Sequence, residues 1–135
     1  MIYIVVALKA EAQAFVESYK LTKSSLATFT LYSNKDIRLI ISGMGVTNAR
    51  LATQTLINYF DITDEDHYFN IGICGASKAY EIGEVLEIGT ILYEQTPYIF
   101  DENKREIVCV NEAMHEAKYD IVDMESYGFY DAVRH

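Results

Sequence analysis

Apolar positions in this chain come in short solid runs separated by stretches with helical spacing. Ile2-Tyr-Ile-Val-Val-Ala7 is apolar throughout, the pattern of a strand covered on both faces. Lys9 to Tyr19 comes next, with Ala12, Phe15, Val16 and Tyr19 on one stripe, which predicts an amphipathic helix. Ala27 to Tyr32 and Ile37 to Ile41 read as two strands around the turn Ser33-Asn34-Lys35-Asp36. After the bend Ser42-Gly43-Met44-Gly45, the spacing of Ala49, Ala52 and Leu56 predicts a second helix over Thr47 to Phe60. Asp61 to Asp66 is an acidic loop.

The second half repeats the alternation. Tyr68 to Cys74 reads as a buried strand. Val85 to Tyr93 reads as a strand interrupted by Gly89, and Pro97 either ends it or puts the next residues at a sheet edge. Asp101 to Arg105 is a charged turn, Ile107 to Val110 a short strand, and Glu112 to Ala117 one or two helical turns. Tyr119 to Val122 is the last strand and Glu125 to Val133 the last helix. The pattern predicts an α/β fold, a three-layer αβα sandwich around a central mixed sheet, in one domain over residues 1–135. Ile2–Ala7, Ile37–Ile41, Tyr68–Ile73 and Tyr119–Val122 are expected together in that sheet. Ligands of such sheets bind at the carboxyl ends of the strands.

Composition narrows the function class. A net charge of −9 over 135 residues argues against a nucleic-acid partner, which needs a basic face. Cys74 and Cys109 fall inside apolar runs and read as free buried thiols. No CxxC pair or His/Cys cluster suggests a metal, and no cofactor is implied. The opening apolar run is too short for a secretory h-region, and nothing approaches the ~20 residues of a membrane helix. A cytoplasmic protein without membrane partners is expected.

Four sites at strand ends carry candidate chemistry. Glu11 lies one turn past the first strand, where a carboxylate also suits the helix dipole. Ser42-Gly-Met-Gly45 before a helix suits an anion or a sugar, or is a tight turn. Asn70-Ile-Gly-Ile-Cys-Gly75 ends a strand in glycines that admit either a ligand or a packed neighbour. Met124-Glu125 offers a carboxylate that can accept two vicinal hydroxyls beside an adaptable apolar wall, or is a core methionine before a helix-starting acid.

In chain order, Ala7-Leu-x-x-Glu11, Ser42-Gly-Met-Gly-Val-Thr-Asn-Ala49, Asn70-Ile-Gly-Ile-Cys-Gly75 with Ile82-Gly-Glu-Val85, and Val122-Asp-Met-Glu-Ser126 resemble the successive motifs of one family. It comprises purine and uridine phosphorylases and methylthioadenosine/S-adenosylhomocysteine nucleosidases. The resemblance spans nearly the whole chain, and Glu11 places it nearest the nucleosidases or the related futalosine-type hydrolases. It implies that Glu11 activates the attacking water, Glu125 binds the ribose 2′- and 3′-hydroxyls, Met124 packs on the sugar and Gly75 approaches the nucleoside. Met114 takes the position of the family's base-stacking aromatic residue.

The departures have implications of their own. Ile73 stands where the family has a serine, and neither Arg38 nor Arg50 falls at a phosphate-binding position, so hydrolysis is favoured over phosphorolysis. The stretch from Tyr93 to Val110 is shorter than the family's. The strand and loop that carry the family's leaving-group acid lie beyond residue 135, which leaves Glu112 or Asp123 as substitutes. The resemblance therefore implies a shortened member that cleaves the N-glycosidic bond of a purine nucleoside. The alternative is a truncated or degenerate member that keeps the fold and nucleoside binding without catalysis. An apolar patch at Tyr127, Phe129 and Tyr130, left uncovered by the missing element, predicts a homodimer.

Overall fold

The computed structural model describes residues 1–61, 63–77, 80–81, 83–112 and 119–134. The elements run β1 (Ile2–Val6), α1 (Lys9–Tyr19), β2 (Thr22–Leu26), β3 (Phe29–Ser33), β4 (Ile37–Ile41), α2 (Val46–Tyr59), β5 (His67–Asn70), β6 (Gly75–Ala76), β7 (Ile88–Tyr93), β8 (Thr96–Ile99), β9 (Arg105–Cys109), β10 (Ile121–Asp123) and α3 (Ser126–Val133).

The strands form two mixed sheets, β2-β3-β4-β1-β5 and β6-β10-β9-β7-β8. In the first, β1 lies between β4 and β5 and runs parallel to both. Its side chains alternate between two cores, as a period of two requires. Tyr3 and Val5 join Ile40, Ala52 and Leu56 under α2, whereas Ile4 and Val6 join Leu39, Ile37 and Ala12 under α1. The solid apolar run of β1 is thus explained by helix cover on both faces, giving the helix–sheet–helix layering.

In the second sheet β7, β9 and β10 are parallel, while β8 and β6 pair antiparallel at the two edges. Pro97 sits in edge strand β8, where its missing N–H costs no ladder bond.

Three of the four strands expected in one sheet share the first sheet. The fourth, β10, belongs to the second, so that expectation is corrected. Chain 67–74 is likewise not one buried strand. It leaves the first sheet after Asn70 and enters the second at Gly75, with Phe69 47% and Ile73 79% exposed. An apolar run encodes a preference for burial but not the identity of the neighbouring strand. β2 escapes the sequence reading because four of its five residues are exposed and only Leu26 is buried in the core.

Helices α2 and α3 join the two halves. Val46 of α2 packs with Tyr127 of α3 and with Ile91, Ile107 and Ile121 of the second sheet. Their backbones meet at Gly128, where an added Cβ would lie 2.1 Å from the Val46 carbonyl oxygen. Arg50 and Asp131 close the contact at 3.0 Å. The aromatic side of α3, expected as an open patch, is largely covered within the chain. Tyr127 is buried, stacked on Tyr93 at a centroid distance of 4.2 Å and tilted against Tyr98 at 5.0 Å. Among the described residues no helix is long and apolar enough to cross a membrane.

Candidate active site

β1 ends at Val6 and the chain passes through Ala7 and Leu8 into α1. Leu8 sits at the N-cap but has no side-chain acceptor for the helix's free N–H groups. Glu11, at the third helical position, turns back instead. Its Oε1 accepts the N–H of Ala7 at 3.1 Å and of Leu8 at 2.8 Å. Its Oε2 accepts the N–H of Ile73 at 2.7 Å, from the segment that crosses between the sheets. Three of the roughly four acceptor positions of a carboxylate are thereby filled, leaving one on Oε2 for a water. Gly72 makes this geometry available, since a Cβ there would stand 2.8 Å from Oε2.

The end of β4 is tied to the end of β1. Ser42 and Gly43 donate their N–H groups to the carbonyls of Val6 and Ala7 at 2.8 and 3.0 Å. Gly45 then caps α2 at φ 95°, a left-handed conformation that favours glycine. The sequence suggests this turn for an external anion. In the structure the Gly45 N–H is given to Glu125 Oε2 at 2.8 Å, so the helix end holds a carboxylate of its own chain.

Glu125 is half-buried at the junction of β10 and α3. Burial pushes its carboxyl above the ordinary carboxylate range, the charges of Asp123 and Glu11 push the same way, and the Gly45 N–H offsets part of the rise. Glu11 and Glu125 therefore lie in one electrostatic neighbourhood, at the carboxyl ends of β1 and β10. Gly45 takes only one oxygen of Glu125, and among the described residues the other meets no donor that would compete with a vicinal diol. Met124 is half-buried beside it.

Gly75 is exposed in β6, and a Cβ there would meet Val122 Cγ1 at 3.0 Å, so strand pairing alone accounts for the glycine. Met114 lies outside the described residues. Glu112 is exposed. Asp123 is turned to its own helix: Oδ2 accepts the Ser126 N–H at 3.0 Å and Oδ1 the Ser126 hydroxyl at 2.7 Å. Burial raises its carboxyl above the usual range, partly countered by those bonds. Arg38 lies 3.7 Å from the Phe60 ring centroid and donates to the Tyr3 hydroxyl at 2.6 Å, and Arg50 pairs with Asp131. Both arginines are thus committed to packing contacts. Among the described residues no group of His, Cys, Asp and Glu is spaced to hold a metal ion. Two shallow concavities of about 700 and 410 Å³ lie along Arg105, one lined by Glu87 and Lys104 and the other by Tyr80 and Asp120, away from the carboxylates.

Sequence reasoning missed the main-chain partners that fix both glutamates: Gly45, Gly72 and the N–H of Ile73. The signal for Ile73 was present but read through its side chain, which cannot donate, whereas its backbone does.

No family model matches the chain, and no curated protein matches it in sequence. Solved structures do match its fold. The methylthioadenosine/S-adenosylhomocysteine nucleosidase of Neisseria meningitidis, solved with methylthio-immucillin-A, superposes with a TM-score of 0.81 at 17% identity over 98% of this chain and 79% of that one. The futalosine hydrolase of Helicobacter pylori, in a mutant form, gives 0.81 at 15% identity over 98% and 82%. The nucleosidase of Colwellia psychrerythraea, solved with adenine, gives 0.80 at 17% identity over 98% and 76%. At 15–17% identity the likeness speaks for architecture, and in architecture this chain has the nucleoside phosphorylase/nucleosidase-like fold.

Proposed function

We propose that this chain hydrolyses the N-glycosidic bond of a purine nucleoside. The observation that carries the reading is the pair Glu11 and Glu125, each held by a main-chain N–H at a strand-to-helix junction, with the charge of Glu11 among those that raise the Glu125 carboxyl. Water attacks C1′ of the ribose as the C–N bond breaks. The proton lost by the water passes to Glu11, the hydroxyl stays on C1′, and the leaving base takes up one proton from solvent while Glu11 later returns its own to solvent. Glu125 accepts hydrogen bonds from the 2′- and 3′-hydroxyls, Met124 forms the apolar side of the sugar site, and the exposed backbone at Gly75 borders the nucleoside. The nucleosidase and hydrolase names of the structural neighbours, one of them bound to adenine, support this class of substrate.

Water rather than phosphate is the acceptor. The helix end that could hold phosphate is occupied by Glu125, and Arg38 and Arg50 are engaged in packing. A second reading, nucleoside binding without turnover, is favoured by one observation: Glu11 already accepts three N–H groups. The test is to incubate the protein with adenosine, inosine, methylthioadenosine and uridine, with and without phosphate, and to quantify free base by chromatography alongside calorimetric binding. Base release independent of phosphate is expected. Binding without release would select the second reading, and phosphate-stimulated release or no binding at all would overturn both.

A further inference from the structure

Asp123 ends β10 two residues before Glu125, and both of its oxygens are bonded to Ser126. It accepts the Ser126 N–H at 3.0 Å on Oδ2 and the Ser126 hydroxyl at 2.7 Å on Oδ1, and Cys109 is its register partner on β9. Each of its two oxygens is thus turned toward the start of its own helix. Cys109 is itself buried, and burial beside Asp123 pushes its thiol up to about 12, so it remains a proton donor.

These bonds fix the first turn of α3. A helix ordinarily has its N-cap side chain fold back on the free N–H groups of the first turn. Here the N-cap residue is Glu125, and its side chain makes no such bond. It leaves the helix end and reaches Gly45, 80 residues away in sequence. Asp123 does the capping in its place, from the strand side.

We propose that Asp123 is a positioning residue for Glu125: by taking over the capping of α3, it frees the Glu125 carboxylate and aims it at the ribose hydroxyls. This rests on the reading of Glu125 as the ribose ligand. Without Asp123, Glu125 is the nearest acceptor for its own helix end and turns away from Gly45 and the sugar. Affinity is then lost only for ligands that carry the hydroxyls.

The probe is an adenosine C-nucleoside, whose carbon–carbon glycosidic bond does not hydrolyse, compared with its 2′,3′-dideoxy counterpart. Dissociation constants for both, and thermal melts, are measured for the native protein, Asp123→Ala and Ser126→Ala. The native protein prefers the hydroxylated ligand. Asp123→Ala removes both acceptor oxygens, cuts that preference roughly fivefold, about the size of a lost cap, and leaves the dideoxy ligand's affinity in place. Ser126→Ala removes one donor while keeping the Asp123 carboxylate, and gives a smaller cut should Asp123→Ala fail to fold. A lower melting temperature with the preference intact in both variants overturns the positioning role alone. A native protein that ignores the hydroxyls overturns the ribose reading and this role with it.

Discussion

The Glu125 carboxylate accepts the N–H of Gly45 at 2.8 Å, so the group proposed to hold the ribose also fills the positive end of α2. A carboxylate at a helix N-terminus is favoured by about 0.3–1 kcal/mol. An incoming phosphate would displace that bond and meet the charges of Glu125 and Glu11 together.

Replacing Glu125 by Gln separates binding from stability. The amide offers one acceptor where the carboxylate offers two, so affinity for a ribonucleoside falls by about 1.5–3 kcal/mol, the range for hydrogen bonds to a charged group. Affinity for the free base stays unchanged. Titration calorimetry with adenosine and adenine reads the difference, and equal losses for both ligands would contradict the assigned role.

Glu11→Gln is expected to abolish base release while retaining nucleoside affinity, because it removes the base that takes the water's proton. Gly72→Ala tests the same role without touching the charge. Its methyl group would stand 2.8 Å from Glu11 Oε2 and push that oxygen off the Ile73 N–H. Turnover should fall at least tenfold with little change in binding, and normal turnover in either variant would remove Glu11 from the mechanism.

The carboxyls divide by the sign of their contribution to stability. Burial raises Asp123 and Glu125, so their unfolded forms ionise more readily and folding loses stability as pH climbs from about 4 through their raised folded values. Asp131 behaves oppositely. Burial alone would raise it, but hydrogen bonds from Arg134 and Arg50 hold it below the ordinary value, so its contribution is present at neutral pH and is lost on acidification. Melting curves of Asp131→Asn and Glu125→Gln at pH 7 and pH 3 should therefore differ in sign. Asp131→Asn is destabilised at pH 7 and close to the native protein at pH 3. Glu125→Gln is at least as stable as the native protein at pH 7.

Gly128→Ala should be the most damaging of these substitutions. Its Cβ would lie 2.1 Å from the Val46 carbonyl oxygen and 3.0 Å from the Arg50 nitrogen, both backbone atoms that cannot rotate away. Overpacking of this kind costs about 1–3 kcal/mol or more. The melting temperature and ribose binding should fall together, since α3 carries Glu125; an unchanged melting temperature would contradict the close helix contact.

The α/β class, the two-sided burial of β1 and the course of α2 were legible because each is written in local periodicity. So were Glu11 and Glu125, as acids at strand-to-helix junctions. Membership of β10 in the second sheet was not, because Ile121 to Asp123 encodes burial without naming β9 as its partner. Tyr127 read as an exposed aromatic because its covers, Tyr93 and Tyr98, come from another part of the chain. The capping role of Asp123 was readable in principle: an aspartate three residues before a serine at a helix start is a local signal.

The crossing of chain 67–74 from one sheet to the other gives the molecule a built-in gauge. The amides of Ile73 and Gly45 end on carboxylates from distant segments rather than on a carbonyl of their own ladder or helix. Their protection from deuterium exchange depends on the two halves staying docked, not on the persistence of either sheet. Such contacts open more easily than core ladders. A ligand that spans Glu11 and Glu125 would slow exchange at both amides while leaving β1 at its native rate, so sub-global parting of the halves can be tracked in solution without unfolding the protein.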